Sequence, residues 1–164
     1  MGDTKIAKDI ITYIAHRGNV DGPSELENHP DHIAKALDLG FDVEVDVRIV
    51  DGAMFLGHDE PKYEVSQKIL MSSHIWFHCK NIEALKYMTD NFGSNRLNYF
   101  WHDIDDYTLT NKEYIWTSPG FDLTDRSIMV MPELAHEDWL AYTTKAKCFG
   151  ICSDYVQYIK EARA

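Results

Sequence analysis

Seven side chains that can move protons or carry charge stand in four short stretches that read as strands or their tips. They are His16 and Arg17 in "IAHRG", Glu44 and Asp46 in "VEVDV", His58 in "LGHD", and His78 and Lys80 in "FHCK". Histidine is the side chain whose charge changes near neutral pH, so two of them can serve as base and acid in one reaction. Glu44 and Asp46 are two apart in an alternating run, Val43 to Arg48, which reads as a strand with one apolar and one polar face. Their side chains would be neighbours roughly 6.5–7 Å apart along the strand. Two such carboxylates can reach one hard divalent cation held at about 2.0–2.6 Å. A strand half open to water has the same alternation, so this run alone leaves a solvated polar face as the alternative.

The elements that must position these residues are short strands bounded by Gly, Pro, Asn or Asp. Strands are expected at "ITYIAHRG", "DVEVDVRIV", "AMFLGHD", "IWFHCK", "NYFWHD", "YIWTS", "IMVMPE" and "CFGICSD". Helical patterns lie in "HPDHIAKALDLG", with Asp31 as candidate cap, in "NIEALKYMTDNFG", capped at Asn81, and in "PELAHEDWLAYTTK". Strands followed by helices argue for βαβ units and a parallel sheet. Asp51-Gly52 is a favoured pair for a two-residue hairpin turn. The expected fold is α/β, a reduced (β/α) TIM-type barrel with a short β-hairpin insertion after the second strand. A full eight-unit barrel takes about 250 residues, so crossover helices should be shortened or missing after Asp103 and Pro119. The strands end His16-Arg17, His58-Asp59, His78-Cys79-Lys80, His102-Asp103, Pro132-Glu133 and Ser153-Asp154. Parallel α/β folds build their sites at the carboxyl ends of strands. Those loaded tips turn the preference for Glu44 and Asp46 from a solvated face toward an ion site.

No linker, repeat or low-complexity tract interrupts the chain, so a single domain over 1–164 is expected. The net charge of -11 excludes a broad electrostatic surface for nucleic acid or anionic lipid; any phosphate site must be a local positive feature. No apolar run reaches the roughly 20 residues of a membrane span, and no stable membrane association is expected. "MGDTKIAKDI" has neither a secretory pattern nor, with Ile6, a myristoylation pattern. An odd number of cysteines, Cys79, Cys148 and Cys152, suggests reduced thiols and a cytoplasmic setting. Cys148 and Cys152 read as buried thiols rather than half a zinc site. "DIDDYTLTNKEY" lacks the Gly and Glu of a calcium loop and reads as a polar loop over the mouth of the fold. His29 and His32 read as capping or surface residues.

The ordered set His16-Arg17-Gly18, Glu27-Asn28, Glu44-x-Asp46, Asp51-Gly52 and His58-Asp59 resembles the glycerophosphodiester phosphodiesterase family. It is similar also to the wider group of phosphatidylinositol-phospholipase-C-like phosphodiesterases. The block covers about the first sixty residues; "FHCK" and "GICSDY" extend it more thinly. The resemblance implies a metal-dependent hydrolase acting on a small-molecule phosphodiester, with glycerophosphodiesters the first substrates to consider. It gives His16 and His58 the acid and base roles, Glu44 and Asp46 the metal, and Arg17 and Lys80 the phosphate. All-oxygen ligation would suit Mg²⁺ or Ca²⁺. Where the family's third strand carries an acid two residues before its lysine, this chain has His78. Its neutral imidazole could complete the metal shell, or Glu133 could. The competing functions are a phosphate-ligand binding module on the same fold and a cyclising, phospholipase-D-like lyase. The substrate's alcohol groups and the oligomeric state are not encoded in these motifs.

Overall fold

The computed structural model describes residues 10–93 and 96–164. Met1, Gly2 and Ile6, read above for a lipidation pattern, lie outside the described residues. Strand β2 (Asp42–Val50) organises the sheet. One edge pairs in parallel with β5 (Ile75–Cys79), Glu44 opposite Trp76 and Asp46 opposite His78. The other edge is shared. Its first residues pair in parallel with β1 (Thr12–His16), which brings His16 beside Glu44. Beyond the end of β1, β3 (Ala53–Leu56) takes over in antiparallel pairing, Val47 opposite Leu56. The turn joining β2 to β3 has positive φ at both Asp51 and Gly52, the backbone twist that lets two-residue hairpins close. A two-residue β4 (Tyr63–Glu64) pairs with β3.

The parallel part of the sheet continues from β5 to β6 (Asn98–Trp101) on one side. On the other it runs from β1 to β10 (Gly150–Ser153), β9 (Ser127–Val130) and β8 (Ile115–Thr117). β7 (Tyr107–Leu109) closes that side antiparallel to β8. The expected reduced (β/α) TIM-type barrel is therefore overturned: the chain forms a curled, mixed ten-stranded sheet, an open half-barrel. The cause lies in the connections. A TIM barrel needs a helix after every strand to cover the outside of a closed parallel ring. Here the chain returns from β6 through β7, and the segment between β8 and β9 contains no helix. Among the described strands β6 pairs only with β5.

The helices cover the convex face. α1 (Pro30–Asp38) starts at His29, whose Nδ1 accepts from the Asp31 amide at 3.1 Å, so His29 and not Asp31 is the cap. α3 (Ile82–Phe92) is capped by Asn81, Oδ1 accepting from Ala84 N at 3.1 Å. A short α2 (Gln67–Leu70) precedes β5. The expected third helix is broken: Pro132–Leu134 form a 3-10 turn, and α4 spans Trp139–Lys145. α5 (Val156–Arg163), which the apolar pattern did not announce, ends the chain. "DIDDYTLTNKEY" supplies β7 rather than only a loop. No helix among the described residues is long and apolar enough to cross a membrane.

Alternation along the strands sorts the buried apolar side chains of the described residues into three clusters, one of them formed by Ile11, Met129, Cys148, Ile151 and Ile159. Val43, Val45, Val47, Phe77 and Ala15 pack outward with Ile33, Ala84 and Met88 of the helices. Ile14, Trp76, Phe100, Trp116, Ile128 and Cys152 pack together on the concave face. All three cysteines are free and buried. The concave apolar layer is the floor on which the polar strand tips stand: His16 follows Ile14, His78 follows Trp76, and Asp154 follows Cys152, each two residues on.

Candidate active site

The strand register assembles the site. Glu44 and Asp46 are 1% and 0% exposed, so the polar face of β2 is buried and not solvated. Two buried carboxylates are costly unless paired, and each has partners. The Arg17 guanidinium lies 3.0 Å from Asp46 Oδ2 and bonds Glu27 Oε2 at 2.9 Å. Arg17 itself has a left-handed backbone (φ 53) that turns its amide to Glu44 Oε2 at 3.2 Å. Asn28, also left-handed (φ 63), fills the gap left where β1 stops and β3 has not begun. Its Oδ1 accepts from Asp46 N and its Nδ2 donates to Asp46 Oδ2, both at 2.9 Å. Burial opposes the Asp46 charge, but His78, Arg17 and Asn28 outweigh it and hold this carboxyl well below the usual carboxylate range.

His78 stands opposite Asp46. Its Nε2 lies 2.9 Å from the His102 carbonyl oxygen, which can only accept, so Nε2 carries a hydrogen. Nδ1 then faces the acids, 3.3 Å from Asp46 Oδ1 and 3.5 Å from Glu44 Oε1. Phe100 stacks on the ring at 4.9 Å and holds its plane. Burial disfavours a charge here, but Asp46 and Glu44 prevail and push His78 up to about 9. In chelator-treated protein this pairing should write itself into stability. The His78 contribution is complete below 6.5, its ordinary value, and is lost as pH rises through about 9. The Asp46 contribution has the opposite sense: it is present above 3.8 and is lost as pH falls further, through the folded carboxyl's depressed value. Thermal unfolding against pH should show both flanks in the wild type, and His78→Gln should remove the alkaline one.

His16, at the tip of β1, has Nδ1 2.7 Å from Asp154 Oδ1. Burial, which opposes the imidazolium, lowers the Asp154 carboxyl's tendency to ionise too, but their hydrogen bond prevails in both: His16 is raised and Asp154 lowered. The ionised carboxylate accepts the Nδ1 hydrogen, leaving Nε2 as the working nitrogen, 3.9 Å from Glu44 Oε2. Asn19, fully buried, donates to both Asp154 and Glu27 and so ties the His16 and Arg17 partners together.

His58 has Nδ1 2.8 Å from Asp59 Oδ1 and is more open, with 38% of its side chain exposed. It lines a cavity of about 170 Å³ with Arg17, Glu27, Asn28 and Lys62. Arg17 thus borders both the buried acids and the cavity that His58 faces. Arg48, third on the inward face of β2, donates to the carbonyls of Gly57 and His58 and sets their turn. Gly57 has φ 151, and a Cβ there would stand 1.9 Å from Glu60 O. Gly57→Ala should therefore displace the His58 turn and cost about 1–3 kcal/mol, measurable as a lowered unfolding midpoint and as a shifted His58 ring resonance.

Lys80 extends the β5 ladder by its amide, bonded to Val47 O at 2.9 Å; burial first, then His78 and the Lys80 charge, disfavour protonation of His102. Glu133 is not in the group around Asp46. Its Oε1 accepts from Ser153 Oγ and Asp154 N, at 2.8 and 3.0 Å. The structure thus brings together His16, Arg17, Glu44, Asp46 and His78 and sets His58 on the cavity that Arg17 also lines, while Lys80 follows β5 and is not among the residues lining that cavity. Sequence reasoning gave no role to Asp154, Asn19 or Arg48. Arg48 was readable from its register with Glu44 and Asp46; Asp154 was marked only as a strand tip.

The acids and His78 fit a divalent ion. Among the described residues, Glu44, Asp46 and His78 are the group whose ligand atoms lie close enough for one, within 4.8 Å of one another. Asp46 Oδ1 is buried and makes no well-formed hydrogen bond, with His78 Nδ1 at 3.3 Å beside it. No family model, curated protein or solved structure matches the chain.

Proposed function

We propose that this protein is a metal-assisted phosphodiesterase of the glycerophosphodiester phosphodiesterase kind, acting on a small-molecule phosphodiester. The observation that carries the reading is a pair of histidines, His16 and His58, each with Nδ1 against a carboxylate, His16 next to Arg17 in the chain and His58 lining a cavity with Arg17. In a phosphodiester the leaving alkoxide needs a proton and the attacking hydroxyl must lose one. His16, whose Nε2 is left free by Asp154, serves as base. His58, at the open cavity, protonates the departing oxygen. Arg17 binds a phosphoryl oxygen from the cavity wall. A divalent ion held by Glu44, Asp46 and His78 would supply the remaining neutralisation of the phosphate's negative oxygens.

The test is turnover of a panel of phosphodiesters, glycerophosphodiesters first, with and without divalent ions, with products read by phosphorus NMR. A monoester product is expected. A cyclic phosphate as end product would assign the lyase reaction instead, and no turnover in any arm would overturn the enzyme reading. Capture of a phosphorylated ligand without turnover is the second reading. It is favoured by the cavity, about 170 Å³, against the roughly 300–1,000 Å³ usual for small-molecule sites. Under that reading His58→Ala changes ligand affinity and nothing else.

A further inference from the structure

The donor atoms around Asp46 are not all oxygen, and this bears on which ion they select. Two ligands each about 2.0–2.2 Å from a common ion stand about 3.0–3.5 Å apart. His78 Nδ1 meets that spacing to both acids, at 3.3 Å from Asp46 Oδ1 and 3.5 Å from Glu44 Oε1. The imidazole is oriented before any ion arrives. Nε2–H is committed to the His102 carbonyl at 2.9 Å, the kind of outer hydrogen bond that orients metal-bound histidines. Phe100, stacked at 4.9 Å and 16°, blocks rotation of the ring. His78 Nδ1 is thus aimed at Asp46 Oδ1, a buried carboxylate oxygen that makes no well-formed hydrogen bond and has this nitrogen beside it at 3.3 Å.

An imidazole nitrogen is a poor ligand for Mg²⁺ and Ca²⁺, which take oxygen, and a good one for first-row transition ions. We propose that Glu44, Asp46 and His78 form a mixed nitrogen–oxygen site selective for a first-row transition dication over Mg²⁺ and Ca²⁺. Mn²⁺ is a suitable probe, because it accepts both donor types and is paramagnetic. The inference rests on the metal-assisted reading above and specifies its ion. The glutamate or aspartate that would make this an all-acid set is replaced by His78, so the selectivity resides in one side chain.

The experiment is direct binding to the whole chain at pH 8, without substrate. Calorimetric titrations with Mn²⁺, Mg²⁺ and Ca²⁺ are paired with pulsed electron paramagnetic resonance of the Mn²⁺-loaded protein carrying ¹⁴N- or ¹⁵N-histidine. Mn²⁺ is expected to bind more tightly than Mg²⁺ or Ca²⁺, with a histidine-nitrogen coupling that changes with the isotope. His78→Gln should remove that coupling and weaken Mn²⁺ by at least the roughly 10–100-fold carried by outer-shell partners. His78→Asp should narrow the preference for Mn²⁺ over Mg²⁺ and Ca²⁺. The isotope comparison needs no variant, so it stands if either variant fails to fold. Mn²⁺ binding with no histidine coupling, or Mg²⁺ or Ca²⁺ binding as tightly as Mn²⁺, would overturn the inference while leaving the metal-assisted reading in place. No binding of any of the three would overturn both.

Discussion

His16→Ala is expected to lower phosphodiester turnover by about 10²-fold or more with the fold retained. The side chain lies at a strand tip on the floor formed by Ile14, Trp76 and Cys152, and removes none of that apolar layer. Its pH dependence carries the sharper test. The Asp154 hydrogen bond and the Glu44 charge outweigh burial and raise His16 above its ordinary 6.5. A base works only unprotonated, so turnover should rise with pH along a limb whose midpoint lies above 6.5. Asp154→Asn takes away the carboxylate that stabilises the imidazolium and holds the hydrogen on Nδ1. The limb should move to lower pH, and the plateau should fall as well, because the introduced amide can donate to Nδ1 and force the hydrogen onto Nε2. A limb that falls with rising pH at His16 would mean that it is the acid and His58 the base. A limb unmoved by Asp154→Asn would remove Asp154 from the machinery.

Asp46→Asn is expected to have an effect of similar size by another route. The change keeps the side chain's shape and its contact with Asn28, but removes one of the two negative charges facing His78 and one of the three facing Arg17. Divalent-ion affinity should fall by at least about tenfold, an energy of about 1.4 kcal/mol. Turnover should fall with it and recover only in part at high metal concentration. Chelation of the wild type should abolish turnover, and added divalent ion should restore it. The substitution also leaves Arg17 with less compensation in a buried position. Breaking a buried ion pair costs about 3–5 kcal/mol when one charge is left uncompensated; here Glu27 and Glu44 still face Arg17, so the loss of stability should be smaller. Calorimetry separates the two effects, because unfolding is measured without metal and binding with it. Unchanged metal affinity in a folded Asp46→Asn protein would show that the acid pair holds no ion.

The sequence alone determined the local facts. The two-residue period of β2 put Glu44, Asp46 and Arg48 on one face and the valines on the other. Asp51-Gly52 dictated a tight hairpin, and Asn81 capped its helix. These depend on neighbours within a few residues, where backbone geometry repeats regularly. Local reading left one choice open and erred once: between Asp31 and His29 as cap of α1 it is His29, and a short 3-10 turn splits the helix expected from "PELAHEDWLAYTTK".

Only the tertiary structure decided whether the polar face of β2 meets water or is buried. It is buried because the sheet curls and brings β1, β5 and β10 tips over it, a consequence of packing between segments far apart in the chain. The same distance hid the tautomers. Asp154 lies 138 residues from His16, and the His102 carbonyl that orients His78 lies 24 residues away. No spacing rule predicts either partner. Closure was undecidable from strand count for a related reason: the strands were legible one by one, but a barrel is a property of the connections. Between β6 and β9 the chain has a short antiparallel strand and a helix-free segment instead of crossover helices. Without helices to cover further parallel strands, the sheet stays an open half-barrel, and the polar tips gather on its concave side.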